Sequence, residues 1–286
     1  MNTPFQRIVV VGLGLIGGSL VKNFRCHVPE CKLIGVDLPV VLAMAHEYLD
    51  EAYAPEHLAV AVREADLVFL ATPIKTILQQ FPAVARSIRY GAVVTDVGST
   101  KSLIVAEAKK HFSDERFFIG GHPLAGREKG GWENARADLF AGAAYALTPE
   151  SNFPAPLTEA LTQLLQTLGA HVIALDPAAH DRFVAEVSHL PQLLATALMN
   201  FIARDKASPE LALQLTGSGF RDMTRLAASP YAIWQDIFDS NRANVRQSLQ
   251  NFIAMLQQMA HAFDSDDFER HFQQANRLRE NLAALR

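Results

Sequence analysis

The sequence predicts an α/β protein: an N-terminal Rossmann-type doubly wound sheet over residues 1–175, then an all-helical domain over residues 176–286. Three observations carry this reading. Short, unbroken apolar runs alternate with helical patterns through the first part. A Gly-x-Gly-x-x-Gly segment, Gly12 to Gly17, lies between the first run and the first helical pattern. Beyond Asp176-Pro177 no convincing strand recurs, and apolar residues return at helical spacing.

Ile8 to Val11 is a β-branched run ending at glycine, and Ile16 to Phe24 reads as the helix after it. Leu33 to Val36 and Leu67 to Ala71 are the second and third strands. Thr72-Pro73 and a helical pattern through Ile88 follow the third. Ala92 to Thr95 is the fourth, with a helix from about Lys101, and Phe117 to Ile119 is the fifth. Ala143 to Leu147 and His171 to Ala174 are further candidates. Strands covered by helices on both faces need no polar alternation, which explains the unbroken runs. Asp176 then offers an N-cap and Pro177 a first helical position. Val184, Val187, Leu194, Leu198 and Phe201 form one helical stripe. Val245, Leu249, Phe252, Ile253, Leu256, Met259 and Phe263 form a second. Core packing is the ordinary reading of such stripes. The length of the second leaves room for a helix shared with another subunit.

The chain has 286 residues, 49% hydrophobic and 20% charged, enough for a substantial core in two domains or one large one. A formal net charge of −4, with no basic arm, gives no reason to expect a nucleic-acid partner. Cys26 and Cys31 cannot build a disulfide framework and lack zinc-ligand neighbours, so a reducing cytoplasm is expected. The run from Ile8 to Val21 is too short and glycine-rich to span a membrane. No small-residue cleavage pattern follows it, since Lys22-Asn23-Phe24-Arg25 comes next.

The glycine segment is expected to bind a dinucleotide. Gly12 permits the tight turn, Gly14 removes a side chain where a pyrophosphate approaches, and Gly17 lets helix and strand pack closely. Backbone N–H groups at the helix start, around Leu15 and Ile16, then face the phosphates. Asp37 ends the second strand, where a carboxylate accepts hydrogen bonds from ribose hydroxyls and repels a 2′-phosphate. NAD is therefore expected over NADP. Thr72-Pro73, at the end of the third strand, lies at the same edge. Asp96 to Lys101 ends the fourth strand, and Gly120 to Glu128 the fifth. Of the ten histidines, His122 stands out, bracketed at a strand tip by a glycine pair and a proline.

At this point the chain resembles the prephenate and arogenate dehydrogenase family. The resemblance rests on Gly-Leu-Gly-Leu-Ile-Gly-Gly-Ser (12–19), Asp-Val-Gly-Ser-Thr-Lys (96–101) and Gly-His-Pro-Leu-Ala-Gly-Arg-Glu (121–128). It continues through Asp176-Pro177, His180-Asp181, Ser188-His189-Leu190-Pro191, the segment Gly219 to Arg225, and Trp234 to Ile237. These keep the family's order across nearly the whole chain. The resemblance implies a nucleotide-binding domain followed by a helical domain that forms a homodimer. It implies that His122 accepts a hydrogen bond from the substrate's ring C4 hydroxyl, and that Ser99 sits between that hydroxyl and the nicotinamide. It implies that Arg225 binds a substrate carboxylate, while Glu128, His180, His189 and Asp222 line or brace the same site. An ion pair between Arg225 and Asp222 would be compatible with that role.

The expected reaction is the oxidative decarboxylation of prephenate on the route to tyrosine. A neutral imidazole suits proton removal near neutral pH, and a guanidinium fork suits a carboxylate. Many family members carry a second histidine after Ser-His-Leu-Pro, where this chain has Gln192. A neutral amide lacks the acidic bias that would favour the ammonium of arogenate, and it can donate to a keto or carboxylate oxygen. Prephenate is therefore expected, with arogenate or dual use as the alternative. No fused chorismate mutase or regulatory domain is expected, so tyrosine inhibition would act at the active site. Another two-domain dehydrogenase acting on a β-hydroxy acid or an imine would share the glycine segment, and a silent NAD-binding regulator would keep it together with Asp37. Neither would need His122, Ser99 and Arg225 together.

Overall fold

Helices cover both faces of one eight-stranded sheet in the first part of the chain. A computed structural model describes residues 3–113, 115–127, 129–204 and 209–284. The sheet part runs β1 (Arg7–Val11), α1 (Leu15–His27), β2 (Lys32–Val36), α2 (Pro39–Ala45), β3 (Glu51–Tyr53), α3 (Leu58–Ala61), β4 (Leu67–Leu70) and α4 (Ile74–Ser87). It continues with β5 (Val93–Asp96), α5 (Ser102–Ala108), β6 (Phe117–Pro123), β7 (Ala144–Thr148), α6 (Ala155–Thr167) and β8 (His171–Ala174). The strand order is β3-β2-β1-β4-β5-β6-β7-β8. The first six strands are parallel, β7 is antiparallel to β6, and β8 is parallel to β7. That places the reversal of strand order between β1 and β4, where open α/β sheets bind ligands.

The unbroken apolar runs have the expected cause. Ile8, Val10, Leu67 and Phe69 pack on one face with Leu20 and Phe24 of α1 and Leu161 and Leu165 of α6. Val9, Val11, Val68 and Leu70 pack on the other with Ile77 and Phe81 of α4 and Ile104 of α5. Each strand alternates between two apolar faces, so the sequence shows no alternation at all. β3 escapes the pattern because Glu51-Ala52-Tyr53 lies at the sheet edge and is only partly buried. β6 runs on to Pro123, so His122 lies within a buried strand opposite Ala146 and not on a loop at the tip. The glycine pair before it serves packing: a Cβ at Gly121 would come within 2.6 Å of the Asp96 carbonyl oxygen.

From Pro177 onward the described elements are helical: α7 (Pro177–Val184), α8 (Leu190–Ala203), α9 (Pro209–Gln214), α10 (Ser218–Thr224), α11 (Tyr231–Ser240), α12 (Arg242–His261) and α13 (Asp266–Ala284). Asp176 caps α7 as expected, accepting from the amides of Ala178 and Ala179. Between α7 and α8 the backbone forms a π-turn over Ala185–His189, closed by the Leu190 N–H on the Ala185 carbonyl. Pro191, which has no N–H, already interrupts the α-helical ladder there. The extra residue turns Val187 out to solvent although its spacing fits the buried stripe.

The core-packing reading holds for Val184 and Val245 and fails at the far ends of both stripes. Phe201, Ile253, Leu256 and Phe263 are exposed in the single chain, as are Phe272 and Leu278 of α13. Exposed apolar rows of this length on successive helices are the mark of a subunit interface. Among the described residues no helix is long and apolar enough to cross a membrane.

Candidate active site

A cavity of about 300 Å³ opens at the carboxyl ends of β1 and β4, lined by Gly12, Gly14, Asp37, Leu58, Thr72 and Pro73. The glycines fit a dinucleotide. Gly12 adopts φ +91°, and a Cβ at Gly17 would collide with the Gly12 carbonyl oxygen. Nothing lies within 4 Å of a Cβ at Gly14, which leaves its backbone open to an approaching phosphate. Helix α1 begins at Leu15 with no side-chain cap, so its first amides are free to meet an anion, while Ile16 packs against the core. The Asp37 carboxylate accepts from the amides of Leu13 and Leu38, which fixes it at the mouth of the turn.

Deeper along the same sheet edge lies a buried polar network. Asp96, at the end of β5, forms a fully buried ion pair with Lys101. Its carboxylate also accepts from the amides of Gly98 (2.8 Å) and Gly121 (3.1 Å). Lys101 Nζ in turn donates to the Gly121 carbonyl (2.7 Å). The pair therefore ties the loop bearing Ser99 to the strand bearing His122. Burial pushes the Asp96 carboxyl up and the Lys101 amine down, and their mutual attraction opposes both shifts. Removing one partner alone would strand a buried charge, at a cost of about 3–5 kcal/mol.

His122 Nδ1 lies 2.9 Å from His180 Nε2, and His180 Nδ1 lies 2.9 Å from Asp181 Oδ1. The Asp181 carboxylate also accepts from the amides of Lys101 (2.7 Å) and Ser102 (2.9 Å), capping α5 from α7. Burial pushes this carboxyl up, but the hydrogen bonds from His180, Lys101 and Ser102 outweigh it and leave it below the usual carboxylate range. An ionised Asp181 can only accept, so His180 Nδ1 is the donor. In a neutral His180 the other nitrogen accepts the proton of His122 Nδ1. That leaves His122 Nε2 with a lone pair. Burial, reinforced by His180, Lys101 and His189, holds the His122 imidazole well below its ordinary value, so it stays uncharged at neutral pH. His189 is pushed down by burial to about 4.

The structure gathers His122, His180 and His189 into this buried cluster, with Ser99 half-buried on the adjoining loop. Gln192 is buried one turn beyond His189, and its Nε2 lies 3.4 Å from Thr196 Oγ1. Among the described residues its Oε1, an acceptor, has no partner, where the sequence reading looks for a donor. Asp222 and Arg225 lie exposed on α10 and the turn after it, outside the cluster, although that turn packs against α8. Glu128 lies outside the described residues. Asp181 and Asn241 are absent from the residues that sequence reasoning assigns to the site. Asp181 was readable as the acid next to His180. Asn241 carries no local signal beyond the break between two helical stripes.

A glycine turn shaped for a dinucleotide, with a buried His122–His180–Asp181 relay along the same sheet edge, points to a class, the dinucleotide-dependent dehydrogenases with a helical second half. Within that class, the chain belongs to the prephenate dehydrogenase family. Residues 20–174 match that family's nucleotide-binding domain and residues 176–280 its dimerization domain. A prephenate dehydrogenase of Bacillus subtilis is 32% identical over 99% of this chain and 77% of the relative. The arogenate dehydrogenase structure from Synechocystis superposes with a TM-score of 0.84 at 33% identity, covering 96% of this chain and 99% of that one. The Aquifex aeolicus prephenate dehydrogenase, in complex with hydroxyphenyl propionate and NAD+, gives 0.90 at 26% identity, covering 99% and 100%.

Proposed function

We propose that this chain catalyses the NAD-dependent oxidative decarboxylation of prephenate to 4-hydroxyphenylpyruvate, in the cytoplasm, on the route to tyrosine. The observation that carries the proposal is the His122–His180–Asp181 relay, which leaves one uncharged imidazole nitrogen free to take a proton. Gly12, Gly14, Leu15, Ile16 and Gly17 would hold the dinucleotide, with Thr72 and Pro73 at the far lip and Asp37 on the ribose hydroxyls. Bound NAD supplies the hydride acceptor for C4 of the substrate. His122 Nε2 takes the C4 hydroxyl proton as that carbon is oxidised. Loss of carbon dioxide then sends an electron pair to the C4 oxygen, where protonated His122 and the Ser99 hydroxyl steady the charge. His122 returns its proton to that oxygen, and aromatisation makes the step effectively irreversible.

Arg225 would bind a substrate carboxylate, and the family resemblance gives Asp222 and Glu128 lining or bracing roles at the same site. The exposure of Arg225 in the single chain suits a site completed on dimerisation or on closure over substrate. Replacing Arg225 by Ala should raise KM for prephenate roughly 10–100-fold, the worth of a charge-assisted contact, with kcat changed little. A kcat effect larger than the KM effect would reassign it.

Arogenate is the second reading. The unpartnered Gln192 Oε1 can accept from an ammonium group, and a flip of the amide would instead offer a donor to a keto acid. NAD and NADP reduction with prephenate, arogenate and a β-hydroxy acid side by side tests the whole proposal. Activity on prephenate with NAD preferred is expected, and preference for NADP would remove the role given to Asp37. Tyrosine, if it inhibits, should compete with prephenate; noncompetitive inhibition would place its site elsewhere.

The buried, uncharged His122 and His189 also set a pH dependence of stability. The unfolded chain binds these protons near pH 6.5 and the folded chain does not. Stability is therefore full above about pH 6.5 and falls below it, by up to about 1.4 kcal/mol per pH unit for each histidine. For His189 the loss continues to about pH 4. Urea unfolding at pH 7.5 and 5.5 should show the lower midpoint at pH 5.5.

A further inference from the structure

His189 is almost wholly buried, yet its Nε2 has no hydrogen-bond partner among the described residues. Its other ring nitrogen, Nδ1, lies 3.3 Å from Asn241 Nδ2. The same Asn241 Nδ2 lies 2.7 Å from the backbone carbonyl oxygen of Asp181. A carbonyl oxygen only accepts, so the amide atom facing it must be the nitrogen, and its second hydrogen is the one that reaches His189. Asn244 Nδ2, 2.8 Å from Asn241 Oδ1, fits the same orientation from the opposite side. His189 Nδ1 is therefore the acceptor. Burial keeps this ring uncharged at neutral pH, which leaves its single proton on Nε2.

We propose that Asn241 is a positioning residue that holds His189 in the Nε2–H tautomer, so that His189 presents a neutral hydrogen-bond donor to an oxygen of the substrate's keto-acid or carboxylate groups. The identity of the acceptor rests on the prephenate reading; the tautomer does not. Asp181 is then the branch point of two opposite settings. Its carboxylate, through His180, leaves His122 with a lone pair. Its carbonyl, through Asn241, leaves His189 with a proton. A buried donor with no partner among the described residues can meet a ligand oxygen, the acceptor it lacks.

Nitrogen-15 NMR of the histidine-labelled full-length protein reads the tautomer directly, with His189→Gln identifying the signals. The proton is expected on Nε2, and that N–H signal should move when 4-hydroxyphenylpyruvate is added with NAD. Asn241→Asp offers only acceptors to the ring, so the proton should shift to Nδ1 and KM for prephenate should rise about 10-fold or more, with kcat within a few-fold. In a His189→Gln background, where a side-chain amide donates without any tautomer, Asn241→Asp should leave KM unchanged. A proton on Nδ1 in the unaltered protein, or an Nε2–H signal indifferent to the ligand, overturns the proposal even if prephenate is turned over. The expected tautomer in a protein inactive on prephenate would overturn the functional reading and leave the role of Asn241 standing.

Discussion

Replacing His122 by Asn is expected to lower kcat for prephenate by roughly 10²–10⁴-fold, the range for loss of a general base, while KM stays within a few-fold. The substitution suits the site. An Asn amide can still donate to His180 Nε2 from about the position of His122 Nδ1, so the relay keeps its nearest bond. What disappears is the second ring nitrogen and its lone pair. Hydride can leave C4 only as the hydroxyl proton leaves, so the loss falls on the chemical step and not on binding. The pH profile separates this from mere misfolding. In the parent, burial holds the imidazole well below its ordinary value, so the acid limb of kcat should sit well below pH 6.5. In the Asn variant that limb should vanish, because no group titrates in its place. A variant with near-parental turnover would remove His122 from the chemistry.

What the sequence discloses divides along physical lines. β1, β2, β4 and β5 were legible because both faces of each are apolar, a pattern that needs no tertiary information. β3 was not, since Glu51-Ala52-Tyr53 takes its strand conformation from pairing with β2 at the edge. His122 was legible as a residue but not in its setting, because the extension of β6 to Pro123 depends on pairing with β7 across an intervening segment. The π-turn over Ala185–His189 breaks the 3.6-residue period, so Val187 matched a buried stripe that the backbone denies it. The least legible feature is the relay itself. His122, His180 and Asp181 come from β6 and α7, and Asn241 from the end of α11. No spacing along the chain shows that their nitrogens and oxygens fall within hydrogen-bond reach. The exposed apolar residues of α12 gave the same periodic signal as a core, and only the fold shows that they lie uncovered among the described residues.

The near-isosteric change Asp181→Asn should be nearly as damaging as loss of the base, although Asp181 lies two hydrogen bonds from His122 Nε2. The parent carboxylate takes three donors: His180 Nδ1 and the Lys101 amide on Oδ1, and the Ser102 amide on Oδ2. An amide has one oxygen, so its NH₂ must face a donor. Turned towards Ser102, it clashes with that N–H and weakens the cap on α5. Turned towards His180, it faces the Lys101 N–H that shares that position and loses its bond, donates to Nδ1 and forces the proton of His180 onto Nε2. That proton then points at His122 Nδ1, and a neutral His122 must carry its own proton on Nε2, where the lone pair is needed. The second arrangement stores the base in the wrong tautomer, and kcat should fall by about 10²–10⁴-fold. NAD affinity should change little, since Asp181 is not among the residues lining the dinucleotide cavity. Each arrangement loses one cap bond on α5 and with it some thermal stability, but only the switched tautomer carries the large loss of turnover. Turnover within about 3-fold of the parent, in a folded Asp181→Asn protein, would mean that His122 finds its tautomer without help from the relay.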